Sequence, residues 1–131
     1  MIAVDTSVVI AVLQREPERD DFLRAMSSEA VIGAPSVLET KMVMAALEPV
    51  TVDRFFDRLR RNVGIQVVAF TPDMADVAVE AFRRYGKGQD HPARLNFGDC
   101  MAYAVARVLG APLLFKGDDF SHTDIEPAWR P

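Results

Sequence analysis

Short apolar runs alternate with longer stretches in which apolar positions recur every three or four residues, and this rhythm sets out the elements. Ile2 to Val4 reads as a short buried strand, and Val8 to Leu13 continues as an apolar helix that ends near Glu16-Pro17. Asp20 to Met26 is a second, amphipathic helix, and Ala30-Val31-Ile32-Gly33-Ala34 is strand two. Pro35-Ser36 opens a helix predicted to run through Leu47, and Thr51 starts another with Phe55, Phe56 and Leu59 on one face. Ile65 to Phe70 forms strand three, and Thr71-Pro72-Asp73 caps a helix reaching Tyr85. A Gly-rich, basic loop spans Gly86 to Leu95, after which Asn96 caps a helix from Phe97 to Leu109. Pro112 to Phe115 is strand four, and Thr123-Asp124-Ile125 is a candidate for a short fifth. No internal repeat or low-complexity tract interrupts the series. Strands separated by helices specify an α/β fold with a mostly parallel central sheet flanked by helices on both faces.

Composition narrows the setting. At 131 residues the chain is expected to form one domain, residues 1–131. Half of it is apolar, but no apolar run approaches the ~20 residues of a membrane span, and the first residues form a strand with no basic n-region. The expectation is a cytoplasmic protein with no membrane contact. Cys100 is the only cysteine, so no internal disulfide is possible, and its apolar surroundings in Cys100-Met101-Ala102-Tyr103 suit a small buried hydrophobe. A formal charge of −4 argues against a general polyanion binder. The sum hides its distribution, however. Acids crowd into Glu16-Pro17-Glu18-Arg19-Asp20-Asp21, whereas Arg83, Arg84, Lys87, His91 and Arg94 fall in the stretch that leads to Asp99. A basic rim beside an acidic pocket is the polarity a metal-dependent nuclease needs.

The acidic pocket is read from position. Asp5 ends the first strand, and Glu39, Asp99 and the Asp118-Asp119 pair stand at later strand-to-helix boundaries. In open α/β sheets, ligands and catalytic groups collect beyond the carboxyl ends of the strands, so these acids are placed to converge. Each also has a local explanation. Asp5 suits the N-cap of the first helix, Ser36-Val37-Leu38-Glu39 is a capping box by sequence, Asp99 favours the dipole of its helix, and Asp118-Asp119 suits a turn. Taken together, they favour a site. The helices bearing Glu39 and Asp99 are apolar nearly all round, which predicts that both are internal and that their first turns are enclosed. Carboxylates about 4 Å apart there oppose one another by about 4 kcal/mol at an effective dielectric of about 20 unless a cation lies between them. Oxygen-only donors suit Mg²⁺ or Mn²⁺, and no Cys/His spacing supports zinc. Such a site activates a water for in-line attack on a phosphodiester without a protein nucleophile. His91, in Asp90-His91-Pro92, is read as a surface histidine rather than a catalytic base, and His122 as structural.

At these residues the chain resembles the PIN-domain ribonucleases and, within them, the VapC-type toxins of bacterial toxin–antitoxin pairs. The matching segments are Ile2-Ala3-Val4-Asp5-Thr6-Ser7, Pro35-Ser36-Val37-Leu38-Glu39, Leu95-Asn96-Phe97-Gly98-Asp99-Cys100, and Leu113 through Phe120 to Thr123-Asp124-Ile125. The resemblance spans essentially the whole chain and implies a PIN-like three-layer α/β/α fold. It implies an acidic Mg²⁺ site, with Mn²⁺ able to substitute, formed by Asp5, Glu39, Asp99 and one final carboxylate. Asp119, just before Phe120, matches better than the adjacent Asp118. Thr6 and Ser7 resemble residues that hold the first aspartate or the attacking water, and Asn96, Arg94 and Lys116 are implied as phosphate-side or supporting groups. The activity implied is that of a Mg²⁺-dependent endoribonuclease toxin, with RNA as substrate, a cognate antitoxin as inhibitor and a homodimer as the assembly. Val8 to Leu13 and Phe55 to Leu59 are apolar candidates for its surfaces, if they are not core. A receiver-like phosphoacceptor module is the alternative, but strand three runs into Thr71-Pro72 without an acceptor aspartate and strand one lacks the adjacent acid pair. A haloacid-dehalogenase-type phosphatase needs a second acid where Ser7 stands.

Overall fold

The computed structural model describes all 131 residues. Four strands, β1 (Ile2–Val4), β2 (Ala30–Gly33), β3 (Gln66–Val68) and β4 (Leu113–Leu114), form one sheet in the order β3-β2-β1-β4. Every pairing is parallel, with Ala3 opposite Val31 and Leu113, and Val4 opposite Leu114. The two inner strands are buried on both sides, so their sequences are continuous apolar runs.

Alternation along the strands divides the core between the faces of the sheet. Ala3, Val31 and Leu113 pack with α5 (Pro72–Tyr85) and α6 (Phe97–Leu109). Val4, Ile32 and Leu114 pack with α1 (Thr6–Leu13), α2 (Arg19–Met26) and α4 (Pro49–Asn62). The remaining helix, α3 (Ala34–Val43), follows β2 directly and contacts both α1 and α6. The result is the expected α/β fold with helices on both faces, its central sheet wholly parallel. No helix is long and apolar enough to cross a membrane.

The N-caps of α5 and α6 are those predicted. Thr71 accepts from the Met74 amide, Asn96 accepts from the Asp99 amide, and α6 ends on Gly110 in the left-handed conformation. Elsewhere the structure departs from the pattern. The third helix ends at Val43 rather than Leu47, because the chain tightens into i→i+3 bonds from Ala45 to Met42 and from Leu47 to Met44 before Pro49 opens α4. Strands three and four are shorter than their apolar runs. No fifth strand forms over Thr123-Asp124-Ile125; a 3₁₀ turn (Asp119–His122) precedes that segment, and the return to the sheet is a single bridge between Leu113 and Pro127. Nor is α3 internal. Leu38, Met42 and Val43 are exposed, whereas the apolar residues of Val8 to Leu13 and Phe55 to Leu59, considered as surfaces, are mostly buried in the core, with Ile10 and Leu13 half-buried.

Candidate active site

The carboxyl ends of β1, β2 and β4 lie side by side, and the chain leaves each of them carrying one of the acids. Asp5 follows the central strand β1 and is only 5% exposed. It caps α1, its Oδ2 accepting from the Ser7 amide at 3.0 Å and from the Ser7 hydroxyl at 2.6 Å. Burial raises its pKa, the nearby Glu39 charge adds to the rise, and the bonds from Ser7 and Thr6 oppose it. Ser7 Oγ also accepts the Lys116 backbone N–H at 3.0 Å, so one hydroxyl joins Asp5 to the segment leaving β4. Thr6 serves the neighbouring element: its hydroxyl donates to the Ser36 carbonyl at 3.2 Å, as does that of Thr40 at 2.8 Å, pinning α1 to α3.

Glu39 sits one turn into α3, whose N-cap is Gly33 with no side-chain cap bond. The capping-box explanation for Glu39 is therefore wrong. Its carboxylate instead lies over the first turn of α6, where a Cβ added to Gly98 would come within 2.1 Å of Glu39 Oε2. Asp99 follows immediately and does complete a capping box: its Oδ2 accepts the Asn96 N–H at 3.0 Å while Asn96 Oδ1 accepts the Asp99 N–H at 2.8 Å. Burial, and after it the charges of Asp5, Asp119 and Glu39, together push the Asp99 carboxyl up to about 7 against that hydrogen bond. Four acids from four separate segments thus share one electrostatic neighbourhood. Asp119 belongs to it from the start of the 3₁₀ turn, whereas Asp118 lines a polar pocket with Glu18, Lys116 and Arg130.

The other candidates divide. Asn96 and Ser7 bond directly to the acids. The Lys116 ammonium does not reach them; it pairs with Glu18 at 2.7 Å and Glu16 at 3.3 Å, and only its backbone amide supports the site. Arg94 is exposed on the loop before Asn96. His91 packs edge-on against Tyr85, with Nδ1 accepting the Ala93 N–H, and the Cys100 thiol is buried and held at about 11 by burial and by the Asp99 charge. Cys100 fits its reading as a small buried hydrophobe, whereas His91, expected at the surface, is half-buried against Tyr85.

Two features escaped the pattern. Gly98 makes room for Glu39, and its only trace in the sequence is a glycine in the first turn of an otherwise apolar helix. Asp124 accepts from the Tyr103 hydroxyl at 2.6 Å and from Arg107 at 2.8 Å, fastening the segment beyond Asp119 to α6; residues so far apart gave no local signal.

The donor set is entirely oxygen, and no three Asp, Glu, His or Cys side chains are spaced to enclose a metal on their own. An all-oxygen donor set is the chemistry of hard divalent cations rather than of a zinc-type cage. The Asp99 carboxyl, raised by burial and then by its acidic neighbours, is the electrostatic counterpart, since a divalent cation would offset the repulsion among them.

Residues 2–126 match the PIN domain family. Ribonuclease VapC42 of Mycobacterium tuberculosis is 45% identical over 127 residues, covering 95% of this chain and 97% of that protein. Ribonuclease VapC30 of the same organism is 40% identical over 126 residues, covering 95% of each. Among solved structures, M. tuberculosis VapC20, described as a sarcin-ricin loop cleaving toxin, superimposes with a TM-score of 0.74 at 20% identity over the whole of both chains. A toxin–antitoxin complex from Klebsiella pneumoniae gives a TM-score of 0.70 at 17% identity, covering 95% of this chain and 93% of that one.

Proposed function

The chain belongs to the PIN-domain family, among its VapC ribonucleases, and from that premise we propose that residues 1–131 form one catalytic unit: an endoribonuclease toxin that hydrolyses RNA phosphodiester bonds and is inhibited by a cognate antitoxin. PIN-domain ribonucleases depend on a metal. The specific assignment is Mg²⁺, with Mn²⁺ able to substitute, placed among Asp5, Glu39, Asp99 and Asp119, with one or two of these carboxylates as direct ligands and the others acting through its waters. The observation that carries the reading is the convergence of these acids: Asp5 buried at the end of β1, the Glu39 carboxylate lying over the first turn of α6, and Asp99 in that same turn. When bound, the cation supplies an acidified water and neutralises charge growing on the phosphate. Ser7 holds the Asp5 carboxylate in one rotamer, Asn96 holds that of Asp99, and Gly98 leaves the space that Glu39 occupies. The burial of Asp5 and the closeness of α3 to α6 restrict bulk water, which strengthens each of these charges.

Two surfaces support the protein partners. A groove between α1, α2 and α4 has a floor of Val12, Leu13, Leu23 and Leu59 and a rim of Arg15, Arg19 and Arg58, which suits an amphipathic, acidic segment of the antitoxin. The exposed apolar face of α3, α5 and α6 is assigned to a homodimer. A cytoplasmic location follows from an RNA substrate.

The test is cleavage of single-stranded or structured RNA by purified protein. Activity is expected with Mg²⁺ or Mn²⁺, to be lost in chelator, not to be restored by Ca²⁺, and to fall at least 100-fold in Asp5→Asn, as for loss of one essential charge-stabilising group. Undiminished cleavage in excess chelator, with Asp5→Asn as active as the parent, would overturn it.

A further inference from the structure

We infer that the closed loop from Gly86 to Leu95 is the track on which the RNA strand flanking the scissile phosphate is held, with Lys87 and Arg94 contacting its phosphates. The inference rests on the ribonuclease reading above and extends it to how a polyanion is kept on an acidic protein. A chain of net charge −4 whose cleft gathers four carboxylates repels RNA where it must bind it, so cations beside the cleft have to supply the attraction.

The loop is built to present them. Its ends are joined: Gly86 bridges Leu95, the Lys87 N–H donates to the Leu95 carbonyl at 2.8 Å, and the Leu95 N–H donates to the Tyr85 carbonyl at 2.9 Å. Its interior is packed, with Ala93 and Leu95 fully buried and His91 edge-on to Tyr85 at 5.0 Å between ring centres. Lys87 is thereby fixed beside Leu95, the residue before Asn96, whose amide holds the Asp99 carboxylate. Arg94 is exposed, and its backbone lies in the left-handed region at φ +52°, a conformation that disfavours a long side chain and persists only where the surroundings impose it. Nearby cations are already engaged, Arg83 with Glu80 and Arg84 with Asp124, but no ion pair engages Lys87 or Arg94. Unpaired cations on a rigid loop next to the cleft are what a phosphate track requires.

The experiment measures binding of a short oligouridylate to the full chain in excess chelator as a function of salt. Removing one phosphate contact lowers the slope of log K against log salt by about 0.7 for a single strand. Arg94→Gly, which also relieves the left-handed backbone, and Lys87→Ala are each expected to lower the slope by that amount. Arg94→Lys should restore most of it. Arg60→Ala on α4, with the same change in net charge, should leave it unaltered. In Mn²⁺, cleavage by the loop variants should show a raised KM with little change in kcat, the pattern of lost uniform binding. Slopes unchanged in Arg94→Gly and Lys87→Ala, or lowered equally by Arg60→Ala, would overturn the assignment and leave these cations as contacts for an acidic protein segment. Loss of cleavage in chelator or in Asp5→Asn is read separately, so the loop assignment and the metal-dependent ribonuclease reading can fail independently.

Discussion

Gly98 is the second residue of α6, and the Glu39 carboxylate rests where its Cβ would project. Glycine in a helix interior costs roughly 0.5–1 kcal/mol relative to alanine, so its presence here trades helix stability for the position of an acid. Gly98→Ala should melt within about 1 kcal/mol of the parent, because the atoms it meets are the free end of a flexible side chain. Glu39 would nonetheless be displaced. Cleavage is expected to fall at least tenfold, with a smaller rise in melting temperature on adding Mn²⁺, since a ligand stabilises only through its affinity for the native state. A variant with the parent's rate and the parent's Mn²⁺ shift would mean that Glu39 works from elsewhere. Residues of this kind mark where the sequence stops being legible. Asp5 and Glu39 are readable because each follows a recognisable strand, and Asp99 because it stands in the capped first turn of a recognisable helix, although no strand precedes that helix. Asp118 and Asp119 are adjacent and chemically identical, and only the path of the 3₁₀ turn separates them. Lys116 is legible as a cation near the site, but the acids that draw its ammonium away, Glu16 and Glu18, lie about a hundred residues earlier in the chain.

At the scale of elements, the helix termini concentrate both the legible signals and the strain. Asn96 opens α6 and Leu109 closes it as the sequence predicts, because capping is a local transaction between side chain and backbone. The end of α3 is not legible, since Met42-Val43-Met44-Ala45-Ala46-Leu47 contains no breaker and Met44 turns into the core through packing with α4. The same helix starts that carry caps also hold acids against their charge preference, and this gives a stability test. Asp99 titrates near 7 in the folded chain, above its ordinary value of 3.8. Between those values the folded state keeps a proton that the unfolded state has lost, so stability must fall as pH rises through the window. In chelator the parent's melting temperature is therefore expected to decline from about pH 4 to about pH 7 and then to level from this group. Asp99→Asn, whose amide oxygen can still accept the Asn96 N–H, should show a shallower decline and a higher melting temperature at neutral pH. Added Mn²⁺ should flatten the parent's profile and affect the variant much less. Equal declines in parent and variant would show that Asp99 is an ordinary capping residue with no acidic neighbours of consequence.

For the whole molecule, what the sequence left ambiguous was which apolar surfaces face inward. Periodicity places apolar residues on a face but does not say what covers that face. The Val8–Val12 and Phe55–Leu59 faces are covered by the chain itself, while α3, apolar nearly all round, leaves Leu38, Met42 and Val43 exposed. Phe97, 81% exposed, and Val79 and Phe82 of α5 extend that surface, and the groove they line with Phe70 and Met101 contains no charged side chain. An apolar face whose charge is confined to Glu39 at the α3–α6 edge offers little electrostatic complement to an acidic or basic partner, but it is complementary to a copy of itself about a two-fold axis. We therefore expect the protein to sediment as a dimer at micromolar concentration. Met42→Glu, from a position 67% exposed in the single chain, would set two carboxylates against each other across such an axis. It should sediment as a monomer. Its own fold should be affected by no more than about 0.5 kcal/mol, because the side chain contributes little to the core of one protomer. Since Glu39 opens onto the same face between α3 and α6, dissociation should also lower cleavage at protein concentrations where the parent is paired. A Met42→Glu protein that remains dimeric would move the interface off α3, whereas a parent that is monomeric throughout would leave this face to the antitoxin.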